Sequence, residues 1–137
     1  MNQIYDPVRR RHVKRTPEEE VRQKVIRFLV QERGVPLPLM ASEQAFTCGG
    51  MQYRADILVY DRALKPVLLV ECKAPSVSVG PEVLDQLERY NRALQVPFLL
   101  ATNGESALFA RRDAVSGRWV AQRDIPDYAA MVREEEG

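Results

Sequence analysis

The sequence predicts an α/β protein in which helices cover a mixed sheet. Three observations carry this: a capped, amphipathic helix beginning at Thr16, strand-like apolar runs between residues 40 and 73 joined by short loops, and a second amphipathic helix followed by another apolar run. A chain of 137 residues with 45% apolar and 28% charged residues fits one domain with one core. Residues 1–15 are read as a basic N-terminal arm, 16–133 as the single domain and 134–137 as an acidic tail.

The first helix is predicted over residues 17–33. Thr16-Pro17-Glu18-Glu19 supplies an N-cap, a proline at the first helical position and an acid three residues after the cap. Val21, Val25, Phe28 and Leu29 form one apolar stripe, and Gly34 with Pro36 and Pro38 ends it. A strand near 40–46, a turn at Cys48-Gly49-Gly50, and strands at 53–60 and 66–73 follow. The loop at 61–65 is too short for a crossover helix, so the last two strands form an antiparallel hairpin. Pro75 and Gly80-Pro81 break the chain before a helix at 81–94, striped by Val83, Leu87, Tyr90 and Leu94. Strands are expected at 98–102, 106–111 and 118–122, with a short helix after Pro126.

Composition removes several chemistries. His12 is the only histidine, and Cys48 and Cys72 form no CxxC pair, so His-based nucleophilic pairs and multi-histidine or four-cysteine zinc sites have little to draw on. The net charge of +1 says nothing about a nucleic-acid partner, although Arg9, Arg10, Arg11, Lys14 and Arg15 crowd the N-terminus against Asp6 alone. That stretch reads as a solvated basic arm. Apolar runs such as 67–70 and 98–101 are far below membrane-spanning length, and a soluble cytoplasmic protein is expected.

Carboxylates, lysine and a hard metal remain. Leu-Leu-Val-Glu-Cys-Lys places Glu71 and Lys73 on one face at the end of an apolar strand, where unpaired burial costs several kcal/mol per ion. The hairpin brings Asp56 towards them. Two carboxylates suit Mg²⁺, which activates water and neutralises phosphate charge, and a lysine can orient or deprotonate that water. Strand carbonyls, that of Cys72 for example, commonly complete such a metal shell. Glu18 lies on the stripe side of the first helix at its mouth, Glu19 suits the cap, and Gln86 and Tyr90 share a helix face. Taken alone, these residues read equally as an exposed Glu/Lys pair across from an Asp, and as an amphipathic helix edge with a core tyrosine.

Tyr-Arg-Ala-Asp-Ile-Leu-Val-Tyr, Val-Leu-Leu-Val-Glu-Cys-Lys-Ala-Pro, Gln86-x-x-x-Tyr90 and Thr-Asn-Gly at 102–104 together resemble the PD-(D/E)xK nuclease superfamily. Within it, the chain is most similar to the N-terminal nuclease domain of type I restriction enzyme R subunits, over roughly residues 16–110. The resemblance implies a restriction-endonuclease-like core: helix, three antiparallel strands, helix and strand. It implies Asp56 and Glu71 as metal ligands, Lys73 as the catalytic lysine, Glu18 as the helix acid anchoring a water at the metal with Glu19 as competitor, and Gln86 and Tyr90 as supporting or DNA-contacting residues. Ala55 stands where the superfamily's naming proline would be, a commonly variable position. The implied activity is Mg²⁺- or Mn²⁺-dependent endonucleolytic hydrolysis of DNA, with a homodimer or other restriction-type subunits as partners. A non-catalytic nucleic-acid-binding or assembly module with the same fold is the alternative.

Overall fold

Helix α1 (Pro17–Arg33) starts and stops where the sequence predicts. The Thr16 hydroxyl accepts the Glu19 backbone N–H at 3.0 Å, and Gly34, left-handed at φ 68°, returns its N–H to the Leu29 carbonyl. The computed structural model describes residues 2–136, with side chains described through residue 133. Strands β3 (Met40–Cys48), β4 (Met51–Tyr60) and β5 (Pro66–Cys72) follow, then α2 (Pro81–Leu94), β6 (Phe98–Thr102), β7 (Ala107–Arg112), β8 (Trp119–Gln122) and α3 (Tyr128–Glu136). A 3₁₀ turn at Leu37–Leu39 bridges α1 and β3.

The strands order as β3-β4-β5-β6-β7-β8, antiparallel throughout except β5–β6, whose parallel pairing requires the α2 crossover. On one face, Val21, Val25, Ile26 and Leu29 of α1 and Tyr128 and Met131 of α3 pack on Ile57, Val59, Leu68, Val70, Phe98 and Leu100. On the other, Val83 and Leu87 of α2 meet Leu58, Leu69, Leu99 and Ala101. Neighbouring residues of the central strands thus serve opposite cores, which is why all of β6 is buried. Each fully buried Leu or Ile contributes about 1.5–3 kcal/mol relative to exposure. Among the described residues, no helix is long and apolar enough to cross a membrane.

The N-terminal stretch departs from expectation. Instead of a solvated arm, β1 (Gln3–Asp6) and β2 (Arg11–Lys14) pair as an antiparallel hairpin, with Ile4 opposite Val13 and the rings of Tyr5 and His12 in edge contact at 5.2 Å. Asp6 is fully buried; its carboxylate accepts the Val8 N–H at 2.9 Å and the Arg9 guanidinium. Arg9 then reaches Glu19 of α1 at 2.7 Å, tying the hairpin to the domain. Arg10, Arg11 and Lys14 stay exposed. At the other end, α3 carries the acidic tail's backbone as far as residue 136; its side chains, and Gly137, lie outside the described residues.

Candidate active site

The hairpin turns set which charged residues meet. Gly49 and Gly50, both left-handed at φ 61° and 80°, form a two-residue turn that locks Cys48 opposite Met51. Carried down the ladder, this register pairs Ser42 with Ile57 and Gln44 with Ala55, so Glu43 lies opposite Asp56. The β4–β5 ladder runs as far as Ile57 opposite Val70, and Asp56 and Glu71 are the next residues along it. Glu43, Asp56 and Glu71 therefore form one row across three adjacent strands. Two residues beyond Glu71, the Lys73 N–H donates to the Thr102 carbonyl at 2.8 Å, extending the β5–β6 ladder so that Lys73 keeps its strand position.

The Thr-Asn-Gly segment braces this end. The buried Asn103 side chain accepts the Glu105 and Ser106 N–H groups and donates to the Val77 carbonyl at 2.8 Å. It thereby fastens the loop after Lys73 to the β6–β7 turn.

The three expected site residues come together with unequal partners. Asp56 is buried; its Oδ1 accepts Arg22 of α1 at 2.8 Å and its Oδ2 the Cys72 backbone N–H at 2.7 Å. Glu71 makes an ion pair with Lys73 Nζ at 3.5 Å. Burial, followed by the neighbouring Asp56 carboxylate, pushes Glu71 up to about 8, with Lys73 only partly opposing it. Burial also pushes the Cys72 thiol up, with Asp56 adding to it, so Cys72 remains a neutral thiol packed in the core.

Of the two helix acids, Glu18 faces the cluster. It is exposed at the helix mouth, and partial desolvation with the Asp56 charge raises its pKa while Arg22 and Lys73 oppose the rise. Glu19 caps through its backbone only. Its carboxylate turns inward instead of back to Thr16, accepting Arg9, Arg22 at 2.6 Å and Gln23 at 3.0 Å. The reason is the buried Arg22, which attracts every acid in reach.

Gln86 and Tyr90 do share a face, with Gln86 Nε2 donating to Tyr90 Oη at 2.7 Å. Tyr90 packs at a tilt on Tyr53 at 4.5 Å and edge-on against Phe46 at 5.8 Å, pinning the tip of the β3–β4 hairpin to α2. Among the described residues, neither makes a hydrogen bond to Asp56, Glu71 or Lys73.

Sequence reasoning missed Arg22 and Glu43. Arg22, almost wholly buried, gives Nη1 to Glu19, and Nη2 to both Asp56 and Glu43. Burial opposes its charge, but the hydrogen bond and charge of Asp56, with Glu19 and Glu43, outweigh burial and raise its pKa. The signal for Glu43 was present in the sequence: counting back from a Gly49-Gly50 turn puts it beside Asp56. Arg22 had no such signal beyond its place one residue after the stripe residue Val21.

The donor set suits a hard divalent cation. Asp56 and Glu71 offer neighbouring carboxylate oxygens, and burial, followed by the Asp56 charge, pushes Glu71 up to about 8, so a cation bound between them would compete with a proton there. Arg22 on Asp56 Oδ1 is the competitor. Among the described residues, no three His, Cys, Asp or Glu side chains are grouped as a ready-made metal cage. A cleft of about 550 Å³, lined by Arg9, Lys14, Glu18, Arg22, Glu43 and Ala74, leads along the hairpin to this cluster.

Comparison with known proteins agrees with this layout. In solved structures, the fold is similar to a fragment described as a candidate HsdR subunit of a type I restriction enzyme from Vibrio vulnificus YJ016, with TM-score 0.66 and 24% identity over 86% of this chain and 25% of that one. It is also similar to a candidate nuclease of the DUF820 group from Anabaena variabilis, with TM-score 0.53 and 9% identity over 90% of this chain and 80% of that one. Both likenesses place it in the restriction-endonuclease-like fold. In sequence, 81 residues are 36% identical to the type I restriction enzyme EcoAI endonuclease subunit of Escherichia coli, covering 56% of this chain. The chain matches only 10% of that relative's length. The model of the type I restriction enzyme R protein N terminus matches residues 17–126, from the start of α1 to just before α3. The chain belongs to the family of type I restriction enzyme R protein N termini.

Proposed function

We propose that this chain is a divalent-metal-dependent deoxyribonuclease acting in a restriction-type system, with Asp56, Glu71 and Lys73 as its catalytic residues. The observation that carries it is the ladder: Asp56 and Glu71 are the residues next beyond the Ile57–Val70 pair, and Lys73, two residues on, lies 3.5 Å from Glu71 at the same strand end. Asp56 and Glu71, with the Cys72 carbonyl, would hold Mg²⁺ or Mn²⁺, which when bound supplies Lewis-acid activation of water and neutralises phosphate charge. Lys73 has its ammonium where it can orient the attacking water, take its proton and offset charge developing on the phosphate. Glu18, exposed at the helix mouth, is placed to hold a water on the approach side. Gln86 and Tyr90 support the fold of the hairpin tip. A single site cuts one strand, so a double-strand break calls for two protomers or further restriction-type subunits.

A second reading has its own observation. Arg22 already neutralises Asp56, which suits a binding or assembly module that keeps the fold without the metal. The two separate in one assay: purified full-length chain with single-stranded, duplex and branched DNA, with Mg²⁺, Mn²⁺ or a chelator. The nuclease reading expects metal-dependent cleavage of at least one substrate; binding without cleavage under every metal would favour the module.

A further inference from the structure

Glu43 belongs to none of the motif residues, yet it sits in the row with Asp56 in an unfavourable backbone. Its φ is 57°, left-handed, a conformation that residues with a Cβ adopt at a cost and that persists where surrounding structure requires it. What it gains is a side-chain position: Oε1 contacts Arg22 Nη2, and Oε2 lies 3.7 Å from Arg54 Nη1. Arg22 Nη2 is at the same time 2.8 Å from Asp56 Oδ1. One guanidinium nitrogen is thus shared between a metal-ligand candidate and an acid beside it, while Arg22 Nε has no hydrogen-bond partner.

A cation binding at Asp56 must compete with Arg22 for Oδ1. A buried guanidinium stripped of its acceptor is strongly disfavoured, so the cost of that competition depends on what Arg22 keeps. It keeps Glu19 through Nη1 and Glu43 through Nη2. We infer that Glu43 is a positioning residue that retains Arg22 when Asp56 turns to a divalent cation, so that the Arg22–Glu43 pair sets the cation affinity of the Asp56–Glu71 site. The inference rests on the metal-dependent reading above.

The test is calorimetric titration of Mn²⁺ into the full chain as wild type, Glu43→Gln, Arg22→Lys and the double variant. Glu43→Gln should raise the Mn²⁺ Kd by about tenfold, but by no more than about twofold when Arg22 is already lysine, because lysine's single nitrogen cannot stay on Glu19 and also bridge Asp56 and Glu43 as the guanidinium does. Equal weakening in both backgrounds would mean that Glu43 acts by its own charge and overturns the inference, as would an unchanged Kd in Glu43→Gln. Two measurements stand if Arg22→Lys does not fold. The Arg22 Nε–H resonance of wild type should move on saturation with Mg²⁺, and an unmoved resonance overturns the inference. Glu43→Asn, whose side chain tolerates left-handed backbone, should melt higher than Glu43→Gln in chelator while sharing its weakened Mn²⁺ binding. Absence of Mn²⁺ binding in wild type would overturn the metal-dependent reading along with this one, whereas tight wild-type binding unaffected by Glu43→Gln would overturn this one alone.

Discussion

Asp56 and Glu71 are the same chemistry one strand apart, and their surroundings differ sharply. Asp56 faces α1 and receives a guanidinium and a backbone N–H, both under 3 Å. Glu71 faces a single ammonium at 3.5 Å and is pushed up to about 8. The first carboxylate is a fixed acceptor; the second holds a proton loosely at neutral pH. Proximity alone does not assign roles to paired carboxylates, because donors and burial divide the work between them. The β4 side of the pair is therefore built for anchoring and the β5 side, with Lys73, for proton and charge changes.

Removing the reactive half should have the largest effect. Lys73→Ala should lower the rate of DNA cleavage by about 10²–10⁴-fold while DNA affinity measured in chelator stays close to wild type. Equal cleavage by the variant would move proton handling elsewhere. Removing the anchoring half should appear in stability: at a hundredfold excess over Kd, Mg²⁺ or Mn²⁺ should stabilise wild type by about 2.7 kcal/mol, and Asp56→Ala should show no such gain in a thermal melt. An identical shift in both proteins would place the ion away from Asp56.

The comparison sharpens with pH. Without metal, the Glu71 pKa in the folded chain is raised from 4.5 to about 8, so its contribution to stability is full below 4.5 and is lost as pH rises towards 8. Glu71→Gln, neutral at every pH, should therefore gain on wild type in melting temperature between about pH 5 and about pH 8 in chelator. A constant difference across that window would mean that Glu71 titrates normally. The smallest effect concerns the exposed hairpin: replacing Arg10 and Arg11 by Ala should flatten the slope of log K against log salt by about 2 without altering Mn²⁺ binding. Arg9 is not equivalent to them, since its loss would take the guanidinium from the buried Asp6 and cut the hairpin's tie to Glu19.

Helices α1 and α2 and strand β6 have the limits expected from sequence, because Thr16-Pro17, Gly34 and Gly80-Pro81 act within a few residues of the elements they bound. The convergence of Asp56, Glu71 and Lys73 was legible for a similar reason: a short loop leaves one pairing for two apolar strands. The N-terminal hairpin was not. Its four-residue strands mix Gln3, Tyr5 and Asp6 with Arg11, His12 and Lys14, giving no apolar alternation, and its docking depends on Arg9 meeting Glu19 ten residues away. Arg22 was hidden likewise, since three of its partners lie on three separate elements. Glu19 was misread because its spacing from Thr16 matched a capping box, and the buried Arg22 offered its carboxylate a stronger partner than a helix N-terminus.

Anomalous diffraction from crystals of the full chain soaked in Mn²⁺ would locate a cation held by Asp56 and Glu71. One strong peak is expected between the two carboxylates, about 2.1 Å from oxygens of Asp56 and Glu71, and it should be absent in Asp56→Ala crystals treated the same way. A peak that persists in that variant, or no peak at saturating Mn²⁺ with Arg22 still seated on Asp56, would contradict it.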